Sequence, residues 1–171
     1  MSTAPHKAAA RAATVDIDIL RESPLWDAES DIDATLHRAI AEAAADFSLR
    51  EAELAIVLTD DARIRVLNRD WRDIDKPTNV LSFPVNEPGF GQGPPLLIGD
   101  IVIAYETTKR EAVEQGTPFL NYLTHLAVHG FLHLRGHDHE VEEEAETMEK
   151  LEREILARLD IPDPYAARDA G

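Results

Sequence analysis

With 171 residues, a net charge of −16 and no cysteine, the chain is long enough for one domain with its own core, and disulfide scaffolds and thiolate metal sites are excluded. No run approaches the roughly 18–20 apolar residues of a membrane span and no secretory pattern opens the chain, so a cytoplasmic protein with no membrane partner is expected. The charge disfavours a polyanionic partner only on average: residues 138–160 carry ten Asp/Glu against three Lys/Arg, whereas residues 63–76 carry five Lys/Arg against three Asp.

Residues 1–13 are Ala-rich, with Lys7 and Arg11 but no acid, and read as a flexible leader. Val15, Ile17 and Ile19 alternate with Asp16 and Asp18, the period of a half-buried strand. Pro24 and Trp26 fall in a turn or short connection. Ser30 and Asp31 are good caps for a helix whose face is marked by Ile32, Leu36, Ile40, Ala43 and Phe47. The continuous apolar run Leu54-Ala55-Ile56-Val57-Leu58 predicts a central strand covered on both faces. Asp60 or Asp61 can cap the next helix, on which Ile64, Leu67 and Trp71 share a face while Arg65, Arg69 and Arg72 share a solvent-facing stripe. Pro77 is expected to stop it. Val80-Leu81-Ser82-Phe83 reads as a strand, and Pro84 at its end suits a sheet edge. Residues 86–95, with three Gly and three Pro, form a loop in which Gly89, Gly91 and Gly93 lack the spacing of a phosphate loop. Ile98 to Ala104 is a further strand, and Tyr105 to Gln115 a helix ended by Gly116. Thr117 and Pro118 fit the cap and first turn of the next helix. From Val141 to Leu159 a long helix presents Val141, Ala145, Met148, Leu151, Ile155 and Leu159 as its apolar stripe and turns its glutamates to water. Residues 161–171 read as a flexible tail. Strands and helices mix without strict alternation, which predicts an α+β fold, a single mixed β-sheet of about four strands with helices packed on it.

Five of the seven histidines lie between His125 and His139. His129 and His133 are four apart and stack on one helix face, and Gly136 suits the left-handed turn after which the chain folds back. The H-x3-H-x2-G-x2-H spacing offers His139 as a third imidazole, the layout of a catalytic zinc site with one open position, and it is the spacing of the metzincin proteases. His125 is two turns from His133, about 12 Å along the axis at roughly 1.5 Å per residue. That is too far to share an ion whose bonds are about 2.0–2.1 Å, so His125 reads as a packed or supporting histidine. His137 competes for the third position, where the spacing favours His139, and Asp138 reads as an acceptor that orients a ligand. All-imidazole ligation suits one zinc ion, though nickel, copper or iron would also be accepted. The protease pattern fails at one point. A glutamate should follow the first histidine as general base, and Gly130 stands there instead. Residues 14–160 are therefore expected to form a single metal-dependent hydrolase-like domain, its metal-binding helix near the C-terminus, and peptidase chemistry loses most of its support.

The run His129-Gly130-Phe131-Leu132-His133-Leu134-Arg135-Gly136-His137-Asp138-His139, taken with residues 71–84 (WRDIDKPTNVLSFP) and with Ile98-Gly99-Asp100-Ile101, resembles the YbeY endoribonucleases, the rRNA maturation factors. The likeness covers most of residues 15–160. It implies an α+β fold with a zinc held by three histidines, which match His129, His133 and His139. It also implies cleavage of single-stranded RNA, maturation of the 3′ end of small-subunit rRNA and a part in ribosome quality control. The arginine that matters for activity in the family matches Arg72. Its planar fork can bind two phosphate oxygens and, beside a metal, stabilise the charge that builds on a five-coordinate phosphorus. From the residues alone, a solvated cation at a helix end is an equally good reading of Arg72. Residues 78–83 could line the cleft, with Asn79 and Ser82 in strand-end hydrogen bonding rather than in catalysis. A metal-bound hydroxide or the RNA's own 2′-hydroxyl would each fit as nucleophile. The chain departs from the family in its ends, its Gly/Pro loop and its strongly negative charge.

The partners this implies are rRNA and the ribosome or small-subunit precursors, with no DNA. The acidic surface favours delivery of RNA by a protein such as an assembly GTPase or a ribosomal protein. Two other readings stay open: a metzincin-like zinc hydrolase of another substrate, and a non-catalytic ribosome-assembly factor whose metal fastens the C-terminal region.

Overall fold

A computed structural model describes residues 15–47, 49, 51–85, 96–136 and 142–166. The expected leader, the Gly/Pro loop and the candidates His137, Asp138 and His139 lie outside the described residues. Four strands form one mixed sheet, so the α+β architecture is as expected. β1 (Val15–Arg21) and β4 (Leu96–Ala104) both run parallel to β2 (Ala52–Thr59), and β3 (Val80–Pro84) runs antiparallel to β4, in the order β1-β2-β4-β3. Pro84 thus ends an edge strand, where its missing N–H breaks no ladder. The register of β2 with β4 slips by one residue between Glu53 and Leu54, opposite Leu97 and Gly99. Gly99 has φ +144°, and a Cβ there would lie 2.4 Å from the Phe83 carbonyl oxygen, so glycine alone lets β3 approach β4 at this level.

Among the described residues five α-helices pack on this sheet: α1 (Ile32–Ala44), α2 (Asp61–Arg72), α3 (Tyr105–Gln115), α4 (Phe119–Leu134) and α5 (Glu142–Arg158). α1 follows Asp31, which sits in the left-handed region and makes no side-chain capping bond. Asp60 does cap α2, its carboxylate accepting from the Arg63 N–H at 2.9 Å. That helix ends four residues earlier than Pro77 would require, because Asp73 adopts the left-handed conformation and its N–H closes the last turn. α3 ends at Gly116 as expected. α4 starts one residue later than the cap reading, with Pro118 extended at the cap position and Thr117 before it.

Alternation along the strands sorts the core into two. Leu54, Ile56 and Leu58 of β2 with Ile101 and Ile103 of β4 face α1 and α4, and α5 closes the far side through Met148, Ile155 and Leu156. Trp26, in a short 3-10 turn over Pro24–Ala28, is fully buried there and donates its indole N–H to the Thr59 carbonyl at 2.9 Å. On the opposite face Ile64 and Leu67 of α2 cover Leu81, Val102 and Ala104, with Val57 and Phe83 partly buried beside them. β2 is therefore sealed on one face and only half-covered on the other, not buried on both. Trp71 also departs from its periodic partners. It is 71% exposed, near the end of α2, and touches the sheet through Phe83. No described helix is long and apolar enough to cross a membrane.

Candidate metal centre

α4 is the most deeply packed helix: Leu123, Ala127, Val128, Phe131 and Leu132 are fully buried. Its histidines leave this packed cylinder on one side. His129 and His133 point their Nε2 atoms at each other, 3.1 Å apart, with ring centroids separated by 4.6 Å. Two nitrogens bound to one ion at about 2.0–2.1 Å with a tetrahedral angle would stand roughly 3.3 Å apart. The pair is thus already set for a shared ion, and its donor set fits zinc. Among the described residues no group of three or more His, Cys, Asp or Glu is placed to hold a metal. The candidate third ligand, His139, and its neighbours His137 and Asp138 lie outside them.

What orients His129 is a residue expected from the sequence to face water. Glu152 of α5 is fully buried. Its Oε2 accepts from His129 Nδ1 at 2.9 Å and from His125 Nε2 at 3.1 Å, and its Oε1 accepts from the Tyr165 hydroxyl at 2.7 Å. With Nδ1 of His129 donating, its Nε2 keeps a lone pair turned toward His133, so Glu152 stands where a carboxylate would orient a metal-bound imidazole. Burial by itself would raise the pKa of Glu152. The hydrogen bonds from His125 and His129 outweigh burial and bring it down to about 2. His125 spends its Nε2 on this carboxylate and stands beside His129 at 6.4 Å between centroids. The tail read as flexible from residue 161 contributes Tyr165 to the same cluster, and Ile161 packs on the core.

The position of Glu152 was open to a closer reading of the sequence. It lies four residues after Met148 and four before Leu156, on the buried stripe of α5, where an unpaired carboxylate is not tolerated.

Gly130 faces the sheet, not the metal position. A Cβ there would meet Ile101 Cγ2 at 3.0 Å and Ser82 Oγ at 3.2 Å. Ser82 donates its hydroxyl to the Gly130 carbonyl at 3.1 Å, tying the edge strand to the histidine helix. Asn79 is anchored further along: its amide nitrogen donates to Glu111 of α3 at 2.8 Å, and the Tyr122 hydroxyl of α4 donates to the same carboxylate oxygen at 2.6 Å. Burial first, and then that bond to Glu111, push the Tyr122 hydroxyl pKa up. Arg72 is exposed at the last position of α2, whose apolar side packs on the other face of the sheet from α4. It makes no hydrogen bond or ion pair with the histidines or with any other described residue.

Known proteins resemble this chain over most of its length. The family model described as Endoribonuclease YbeY matches residues 21–160. A Rhodopseudomonas palustris (strain BisA53) protein named Endoribonuclease YbeY is 56% identical over 156 residues, spanning 89% of this chain and 91% of its own length. The Nitrobacter winogradskyi protein of the same name is 56% identical over 161 residues, spanning 91% of this chain and 85% of its own length. A solution structure of TM1509 from Thermotoga maritima is 26% identical with a TM-score of 0.49, covering 84% of this chain and 91% of that one. The Rhodopseudomonas and Nitrobacter relatives are by name endoribonucleases, a class of nuclease hydrolases. The chain belongs to the YbeY endoribonuclease family.

Proposed function

We propose that the protein is a zinc-dependent, single-strand-specific endoribonuclease that matures the 3′ end of small-subunit rRNA and serves ribosome quality control in the cytoplasm. The observation that carries the metal in this reading is the convergence of His129 and His133 Nε2 at 3.1 Å, with His129 locked from behind by Glu152. His129, His133 and His139 would hold the ion. A bound zinc would act as a Lewis acid toward the phosphate, and Arg72 would add a bidentate cation to the charge that develops there. That Arg72 is exposed and without a carboxylate partner among the described residues leaves its guanidinium available for this role. The substrate is rRNA within small-subunit precursors. Because the chain carries −16 overall, delivery by an assembly GTPase or a ribosomal protein is part of the proposal. Packing around Gly130 speaks against peptidase chemistry, since a general base at that position would have to displace Ile101 and Ser82.

Elemental analysis together with cleavage of a defined small-subunit rRNA precursor tests this. The wild type should carry one zinc and yield trimmed 3′ ends. His133→Ala should lose both metal and cleavage. Arg72→Ala should keep the metal and slow cleavage about a hundredfold, as when one transition-state donor is removed. Normal ends from both variants would overturn the proposal. The product termini also identify the nucleophile, because a 2′,3′-cyclic phosphate requires the 2′-hydroxyl.

A further inference from the structure

Trp71 stands apart from the other large apolar residues of α2. Ile64 is fully buried, whereas Trp71 is 71% exposed. It is nevertheless held in place. Its ring meets Phe83 of β3 edge to face, with centroids 5.8 Å apart and planes at 66°, and Phe83 is itself packed into the smaller core. The segment that follows is pinned as well: the Ile74 N–H donates to the Asn68 carbonyl, and the side chain of buried Asn68 donates to the Lys76 carbonyl at 2.9 Å. A braced indole with most of its surface in water is a platform, not a frayed end.

The charges around it are sorted. Arg65 is paired with Asp75 and Arg69 with Asp70, while Arg72 and Lys76 meet no carboxylate among the described residues. In a chain of net charge −16, an exposed aromatic ring close in sequence to two cations that lack a carboxylate partner among the described residues is matched to a polyanion that offers a free π-face. The platform lies on the other face of the sheet from α4, and the edge strand β3 links the two. Phe83 is followed back along β3 by Ser82, whose hydroxyl holds the carbonyl of Gly130, the neighbour of His129. This continuity with the site favours the substrate over a second copy of the chain or a protein partner.

We infer that Trp71 is a positioning residue that stacks one base of a single-stranded RNA, with Lys76 on a flanking phosphate, so that the adjoining phosphate is presented to Arg72. The inference rests on the endoribonuclease reading and supplies its strand selectivity: in a duplex the base faces are buried in the helix's own stack and cannot reach the ring.

The chain has two tryptophans, and Trp26 is fully buried, so a change in emission on adding RNA reports Trp71. In a His133→Ala background, which prevents turnover, oligouridylate should quench that emission and a fully paired duplex of equal length should not. Trp71→Ala should raise Kd for oligouridylate at least about fivefold, the low end for losing one base–aromatic stack, and Trp71→Phe should restore most of it. In the otherwise unaltered enzyme Trp71→Ala should raise KM for a single-stranded substrate more than it lowers kcat. Buried Trp26 emission and far-UV circular dichroism establish that the variants fold. Unchanged Kd and KM in Trp71→Ala, or equal quenching by the duplex, would overturn the platform while leaving a cleaving enzyme. A wild type that neither binds nor cleaves RNA would overturn the endoribonuclease reading, and the platform with it.

Discussion

A carboxylate without solvent is stable as an anion only when its oxygens are all engaged, and Glu152 meets that condition through His125, His129 and Tyr165. The same bonds that keep it ionised turn the imidazole of His129 toward His133. Glu152→Ala should therefore leave both histidines in the sequence yet weaken metal binding about 10- to 100-fold, as removal of an orienting partner does. Competition titration against a chromogenic chelator measures this, and an unchanged affinity would show that helix geometry alone aims His129. At this scale the spacing of the candidate ligands was legible, because an i, i+4 pair is a local property of one helix. The role of Glu152 was not, since it depends on α5 returning across α4, and a glutamate-rich helix looks solvated until its neighbour is known.

Among the elements, the contact of α4 with the edge of the sheet decides how the histidine face is presented. Gly130 lets the helix lie close over Ile101, and Ser82 bonds its carbonyl from β3. Replacing Gly130 by glutamate would recreate the protease-like sequence, but its side chain would point into this contact. Gly130→Glu should lower stability by about 3 kcal/mol or more through overpacking and a buried charge. That corresponds to a fall in Tm on the order of 6–12 °C, with no gain of peptide hydrolysis. A stable variant that cleaves peptides would reverse the argument. The elements themselves were mostly readable from periodicity and caps. Two details differ: α2 stops at a left-handed Asp73 before Pro77, and Trp71 meets the sheet only at Phe83 and stays mostly in water.

Among the described residues two apolar cores flank one sheet, and the candidate ligands His129 and His133 are only partly buried beside them. Chelation should accordingly leave the far-UV circular dichroism intact and lower Tm only by the lost binding energy, about 2.7 kcal/mol for a metal present at roughly 100 times its Kd. Unfolding on chelation would instead favour a metal whose main work is to fasten the C-terminal region. The sequence by itself determined the α+β class, the strands and helices with most of their ends, and the concentration of imidazole on one helix, because hydrophobic period, capping residues and i, i+4 spacing act over a few neighbouring residues. Only the tertiary structure decided that Glu152 stands behind His129, that Gly130 faces the sheet and that Trp71 stands in water. Each of these depends on which surface of another element lies opposite, and no local pattern in the chain carries that information.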